Sequence, residues 1–135
     1  MISLILIALA AMFNACMDTT EFHYSNSIFT KFNNAWYFDA SISWKNKYIG
    51  RVVENGIRKW FFNLLDLPVF LTDFWHLCKS LMIIFLCASI VAYSPMLGKY
   101  ITEVKLIQIL VDFSFLGTVW NCTFSLFFNH FLLNK

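Results

Sequence analysis

The chain has 135 residues, 59% of them hydrophobic and 13% charged, with a mean hydropathy of +0.64. Soluble domains carry about 25% charged residues, and one this short keeps much of its surface in water, so a water-soluble fold is excluded and the bilayer is the solvent that fits. A formal net charge of +2 without a long basic run gives no footing for nucleic acid as a partner.

Residues 2–16 (ISLILIALAAMFNAC) form an apolar run interrupted by Ser3 and Asn14. As a helix they extend about 22 Å against a hydrocarbon core of ~30 Å, so a short first span is expected over about residues 2–17. A cleaved signal peptide is the competing reading, but no Lys or Arg precedes Lys31 to make a positive leader. A lipoprotein signal would modify Cys16, and Phe13-Asn14-Ala15 matches a small-residue lipobox poorly.

Residues 18–67 read as an interfacial loop. Lys31, Lys45, Lys47, Arg51, Arg58 and Lys59 are interleaved there with aromatic side chains. Phe29, Phe32 and Trp36 recur at i, i+3 and i+7, which predicts an amphipathic helix lying on the membrane surface. Trp36, Trp44, Lys45, Lys47 and Trp60, with Lys79 from the next span, are the expected headgroup-level anchors. Gly50 and Asn55-Gly56 are expected breaks, with a second amphipathic helix over residues 57–65.

The second span is expected over about residues 68–93, with Asp66 as cap, Pro68 in the first turn and Ser94-Pro95 as the stop. A short loop, 94–105, leads to a third span over about 106–133, longer than the ~20 residues a crossing needs. The sequon Asn121-Cys122-Thr123 falls in mid-span, out of reach of a transferase, and no GxxxG is present. The expectation is an all-α integral membrane protein with three transmembrane helices and membrane-surface helices in its first loop. Lys and Arg concentrate in that loop, against Lys99 and Lys105 in the second and Lys135 at the C-terminus. The positive-inside rule then puts residues 18–67 and the C-terminus in the cytoplasm, with the N-terminus outside a bacterial-type inner membrane.

Asp73 and His76 stand at i, i+3, and Leu77 and Ser80 extend the same face. Ionisable groups in lipid cost about 2.5–3.5 kcal/mol on insertion scales, so such a pair marks either a satisfied interfacial contact or a site. A carboxylate beside an imidazole binds a metal or fixes the tautomer of a general base. Asp18, Glu21 and His23 follow the first span and His130 ends the third, so the topology brings them to the level of Asp73 and His76. Asp73, His76, His23, Asp18 and His130 are therefore the candidate metal or acid–base set, of a kind that suits zinc or iron. Gln108 and Asp112, at i, i+4, are expected as an interfacial cap or a partner for Lys105. Cys16, Cys78, Cys87 and Cys122 have no CxxC spacing and are expected as small buried hydrophobes.

Ser41-Ile42-Ser43-Trp44-Lys45-Asn46-Lys47 followed by Leu71-Thr72-Asp73-Phe74-Trp75-His76 resembles a group of uncharacterised small membrane proteins of bacterial and phage genomes that carry ISWxNK and LTDxWH segments. The resemblance, over residues 18–79, implies that the two segments form one unit and carries no activity with it. Without a nucleophile elbow, HExxH, kinase or P-loop signature, the expected function is an interaction or assembly subunit, pairing with another membrane protein or with itself. The alternatives are a membrane-embedded metal-dependent enzyme acting on a lipid or apolar substrate through Asp73 and His76, and a holin-like pore-former.

Overall fold

The computed structural model describes residues 1–51 and 69–134. Trp60, the Asn55-Gly56 break, the helix expected over 57–65, the Asp66-Leu67-Pro68 start and Lys135 lie outside the described residues. The elements are α1 (Ile2–Phe22), the single turns α2 (Ala35–Phe38) and α3 (Ala40–Ser43), α4 (Phe74–Val91), the single turn α5 (Gly98–Ile101) and α6 (Lys105–Leu126), which continues as a π-helical turn over Phe127–Leu132. Among the described residues there is no strand, only an isolated bridge between Ser27 and Leu133. Three helices are long and apolar enough to cross a membrane: Ile2–Phe22, Phe74–Val91 and Lys105–Leu132.

The first of them runs past its expected end. Its 21 residues reach about 31 Å, because Thr19 and Thr20 turn their hydroxyls back onto the Ala15 and Met17 carbonyls instead of leaving the helix. Helix α1 packs along both α4 and α6, which share little contact with each other. The apolar window of α1 is 39% buried, against 11% for α4 and 6% for the third helix, so α1 is the central one. Ala10, Ala11 and Ala15 are fully buried, and their short side chains let neighbouring backbones approach closely.

Two hydrogen bonds set the direction of α4 against α1. Ser3 Oγ donates to the Ala92 carbonyl at 2.8 Å at one end, and Trp75 Nε1 donates to Glu21 at 2.9 Å at the other. After α6 the chain returns to the first connection, where Asn134 donates from its backbone N–H to Asn26 and from its side chain to the Ser27 carbonyl, both at 2.7 Å. The helices therefore run up, down and up, with residues 23–51 and the C-terminal residues at one end and the α4–α6 turn at the other. Cys16 and Cys78 are buried in one apolar cluster between α1 and α4, whereas Cys87 and Cys122 are exposed, contrary to the expectation of four buried thiols.

A span continuous from residue 68 is not formed. Residues Val69–Leu71 make a 3₁₀ turn, and Asp73, extended at φ −156° and ψ 161°, caps a helix that begins at Phe74. The surface helix expected through Phe29, Phe32 and Trp36 is also absent, because Asn33 takes a left-handed conformation (φ 49°) between the Ile28–Phe32 turn and α2. Phe29 packs instead on Phe38 (ring centroids 5.6 Å) and Phe74 (5.0 Å), and Phe38 packs on Phe74 at 5.0 Å. Aromatic pairs of this geometry are worth about 0.5–1.5 kcal/mol beyond the area they bury. Trp36 stays exposed with the Arg51 guanidinium 3.7 Å over its ring. The break expected at Gly50 is present, with φ 63° there and 61° at Arg51.

At the far end, Asp112 is not paired with Lys105. It is fully buried and accepts hydrogen bonds from the Tyr93 hydroxyl (2.9 Å) and the Met96 (2.8 Å) and Gly98 (2.9 Å) amides, clamping the turn between α4 and α6. Gln108 closes the same turn by donating to the Thr102 carbonyl at 2.7 Å. Gly98 lies against the Gln108 backbone, where a Cβ would collide with the carbonyl oxygen and Cα. Gly98→Ala is expected to lower unfolding stability in detergent by about 1–3 kcal/mol, the usual cost of overpacking. Asp112→Leu is expected to cost about 1–3 kcal/mol for each amide left without an acceptor. Thermal melts followed by circular dichroism check both, and an unchanged Asp112→Leu melt would refute the clamp.

Candidate functional site: a cleft at the cap end

The first connection folds as a cap over one end of the three helices, and a cleft of about 380 Å³ opens between them. The last turn of α1 supplies Glu21. Ala40 and Ser41 come from α3, Trp44 and Lys47 from the 3₁₀ turn Trp44–Lys47, and Asp73, Trp75 and His76 from the start of α4. The two segments that carry the sequence resemblance thus line one cavity. They are also joined directly: Asn46 Nδ2 donates to the Trp36 carbonyl (2.7 Å) and the Thr72 carbonyl (3.0 Å), while its Oδ1 accepts from Arg51 at 2.6 Å.

Asp73 has two roles, one for each oxygen. Oδ1 accepts the His76 backbone N–H at 2.9 Å, which is the N-cap contact of α4, and Oδ2 lies 2.7 Å from His76 Nδ1. A carboxylate can only accept, so Nδ1 is the ring nitrogen that carries a proton towards Asp73. The Asp73 side chain is buried while that of His76 is 20% exposed, so a shielded carboxylate orients a ring that reaches the cleft. No hydrogen bond to Nε2 is found among the described residues. Tyr37 packs near Phe74, and burial first, then the Asp73 charge, holds its phenol above its ordinary value and therefore neutral at physiological pH.

The charges at the mouth sit on indoles. Lys47 Nζ is 5.5 Å from the Trp44 ring centroid, with Lys45 at 6.0 Å, and Lys79 lies 4.9 Å from that of Trp75. Glu21 accepts from Trp75, and no ion pair joins it to Lys47.

Of the residues expected to converge, Asp73, His76 and Glu21 meet in this cleft, and Asp18, His23 and His130 do not line it. Asp18 is half-buried on α1, His23 sets its ring edge-on to Phe128 at 5.2 Å, and His130 is exposed on the terminal π-helical turn. Among the described residues no group of three or more His, Cys, Asp or Glu could hold a metal ion, so they give no support to a zinc or iron centre at this level. The physical reason is placement: Asp73 is hydrogen-bonded to His76 and the Thr72 hydroxyl, and Asp18, His23 and His130 lie away from that pair. Asn46 and Thr72, which fix the cleft, and Glu21, which the sequence offered only as part of a polar cluster, carry no charge pattern that singles them out. The signal that did point to Asn46 and Thr72 is their place inside the two resembling segments.

No protein-family model, no curated protein and no solved structure matches this chain.

Asp73→Asn keeps a residue that ranks with Asp as a cap, while Asp73→Ala is expected to destabilise α4 by about 1 kcal/mol. Asn also places an NH₂ donor where Oδ2 stands, which flips His76 to its Nε2–H tautomer. Nitrogen NMR of labelled imidazole is expected to show the Nδ1–H form in the wild type and the other form in Asp73→Asn. A wild-type ring already mixed between tautomers would remove the orienting role of Asp73.

Proposed function

We propose that this chain is a three-span integral membrane protein, a non-enzymatic binding and assembly subunit whose cap holds the polar end of a zwitterionic lipid. The observation that carries the reading is the division of its surface. Helices α4 and α6 expose Ile83, Ile84, Ile90, Ile107, Leu110 and Phe113, whereas the charged cleft gathers at one end. The 18 residues of α4 reach about 27 Å, close to the ~30 Å hydrocarbon core, and a helix satisfies its own backbone there. The positive-inside rule supports a cytoplasmic cap, with the C-terminal residues on the same side through Asn26 and Ser27.

The ligand class follows from the lining. Lys47 and Glu21 bring opposite charges into one cleft without pairing, so a purely anionic ligand meets a carboxylate and a purely cationic one meets an ammonium. A phosphate with a tethered ammonium answers both. The phosphate takes Lys47, and the ammonium takes Glu21 and an indole face.

One observation favours a second reading. His76, with Nδ1 held by Asp73 and Nε2 open on the cleft, has the arrangement of a general base. A membrane enzyme acting on the polar end of a lipid without a protein-bound metal would use it so.

Native mass spectrometry of the full chain in mild detergent tests the binding reading. One equivalent of phosphatidylethanolamine is expected to be retained in preference to phosphatidylglycerol. Lys47→Gln and Glu21→Gln are each expected to weaken it by about tenfold, the worth of one hydrogen bond to a charged group. Equal retention of the two lipids, or indifference to both substitutions, would overturn the headgroup assignment. Release of a labelled headgroup by the wild type, lost in His76→Gln, would put the enzyme reading first.

A further inference from the structure

We propose that a second copy of this chain docks on the outer face of α6, with Asn121 of each copy hydrogen-bonding the other inside the bilayer. The proposal rests on the three-span reading above and names the partner in its assembly role. Asn121 follows the buried Asp112 by about two and a half helical turns, so the two side chains leave opposite sides of α6. Asp112 points to the turn that it clamps, and Asn121 is exposed on the side away from it.

Two other polar side chains on that side are satisfied within their own helix. Ser114 Oγ donates to the Leu110 carbonyl at 2.9 Å, and Thr118 Oγ1 donates to the Ser114 carbonyl at 3.0 Å. The Asn121 amide has no hydrogen-bond partner among the described residues. It carries two N–H donors and a carbonyl acceptor, and it stands near the middle of the Lys105–Leu132 segment, where hydrocarbon offers neither. One turn earlier is Gly117, where an added Cβ would meet nothing within 4 Å. Glycine inside a helix costs about 1 kcal/mol relative to alanine, and no neighbour among the described residues requires it here. A helix approaching from outside is what the missing Cβ would admit.

The occupant follows from charge complementarity and depth. The partly positive N–H and partly negative C=O of one amide are complementary to those of an identical amide. Copies inserted in one orientation hold Asn121 at the same depth, so a two-fold axis along the membrane normal brings each Asn121 against its counterpart. Helix α6, the least buried of the three apolar helices, has its outer face available for that contact.

The test is energy transfer between full-length chains labelled at the C-terminus with donor or acceptor dye, in phosphatidylcholine vesicles of falling protein-to-lipid ratio. Wild-type transfer is expected to persist on dilution. Asn121→Leu should weaken association by about threefold to thirtyfold, the range measured for polar contacts between membrane helices. Asn121→Gln, which keeps the amide, should stay near wild type, and Gly117→Leu, which fills the gap, should dissociate the pair. A wild type that is monomeric at every ratio, or an Asn121→Leu chain that pairs as well as wild type, overturns the proposal. An alkaline carbonate wash of the same vesicles separates the two claims. A chain that washes off refutes the three-span reading, whereas one that stays inserted without transfer refutes self-association alone.

Discussion

Because α4 and α6 share little contact, each depends on α1 for its position. The fully buried Ala10, Ala11 and Ala15 bring the α1 backbone close to its neighbours, and dispersion attraction adds up across that short distance. Ser3 and Glu21 then fix the register of α4 at the two ends of the contact. The packing of both other long helices on α1 thus holds the bundle together. It also accounts for the geometry of the cap, since Glu21 enters the cleft only because α1 runs past residue 17.

The cap is held by polar contacts of a different kind. Asn46 spends both of its N–H groups on backbone carbonyls, one from α2 and one from the residue before Asp73. That joint fixes the approach to α4, and Asp73 then starts the helix and orients His76 with the same carboxylate. Structural and chemical roles therefore coincide in one side chain, so a change at Asp73 alters the helix start and the imidazole together unless the substitute also caps.

The two ends of the bundle use buried carboxylates in parallel ways. Asp73 serves one backbone amide, one ring and the Thr72 hydroxyl, and Asp112 serves two backbone amides and a phenol. Each ties irregular chain to a long helix at the level where helical hydrogen bonding stops and unsatisfied amides would otherwise accumulate. The same accounting sets Asn121 apart, since no element among the described residues satisfies its amide.

Composition and hydropathy alone determined that the chain is helical with three apolar segments, since burying or solvating so many apolar side chains depends on amounts and run lengths rather than on contacts. Gly50 as a break and Ser94-Pro95 as the stop after the second long helix were likewise legible, because backbone limits on glycine and proline act locally. Tertiary structure decided the rest. The Phe29–Trp36 spacing describes a helix that Asn33 interrupts, since packing Phe29 onto Phe38 and Phe74 outweighs local periodicity. Asp18, His23 and His130 share a level with Asp73 without sharing its cleft, because topology fixes height along a bundle and leaves rotation around it to side-chain packing. Asp112 looked like a partner for Lys105 from its neighbours in sequence, and only the folding back of residues 93–98 made it the buried acceptor of a turn.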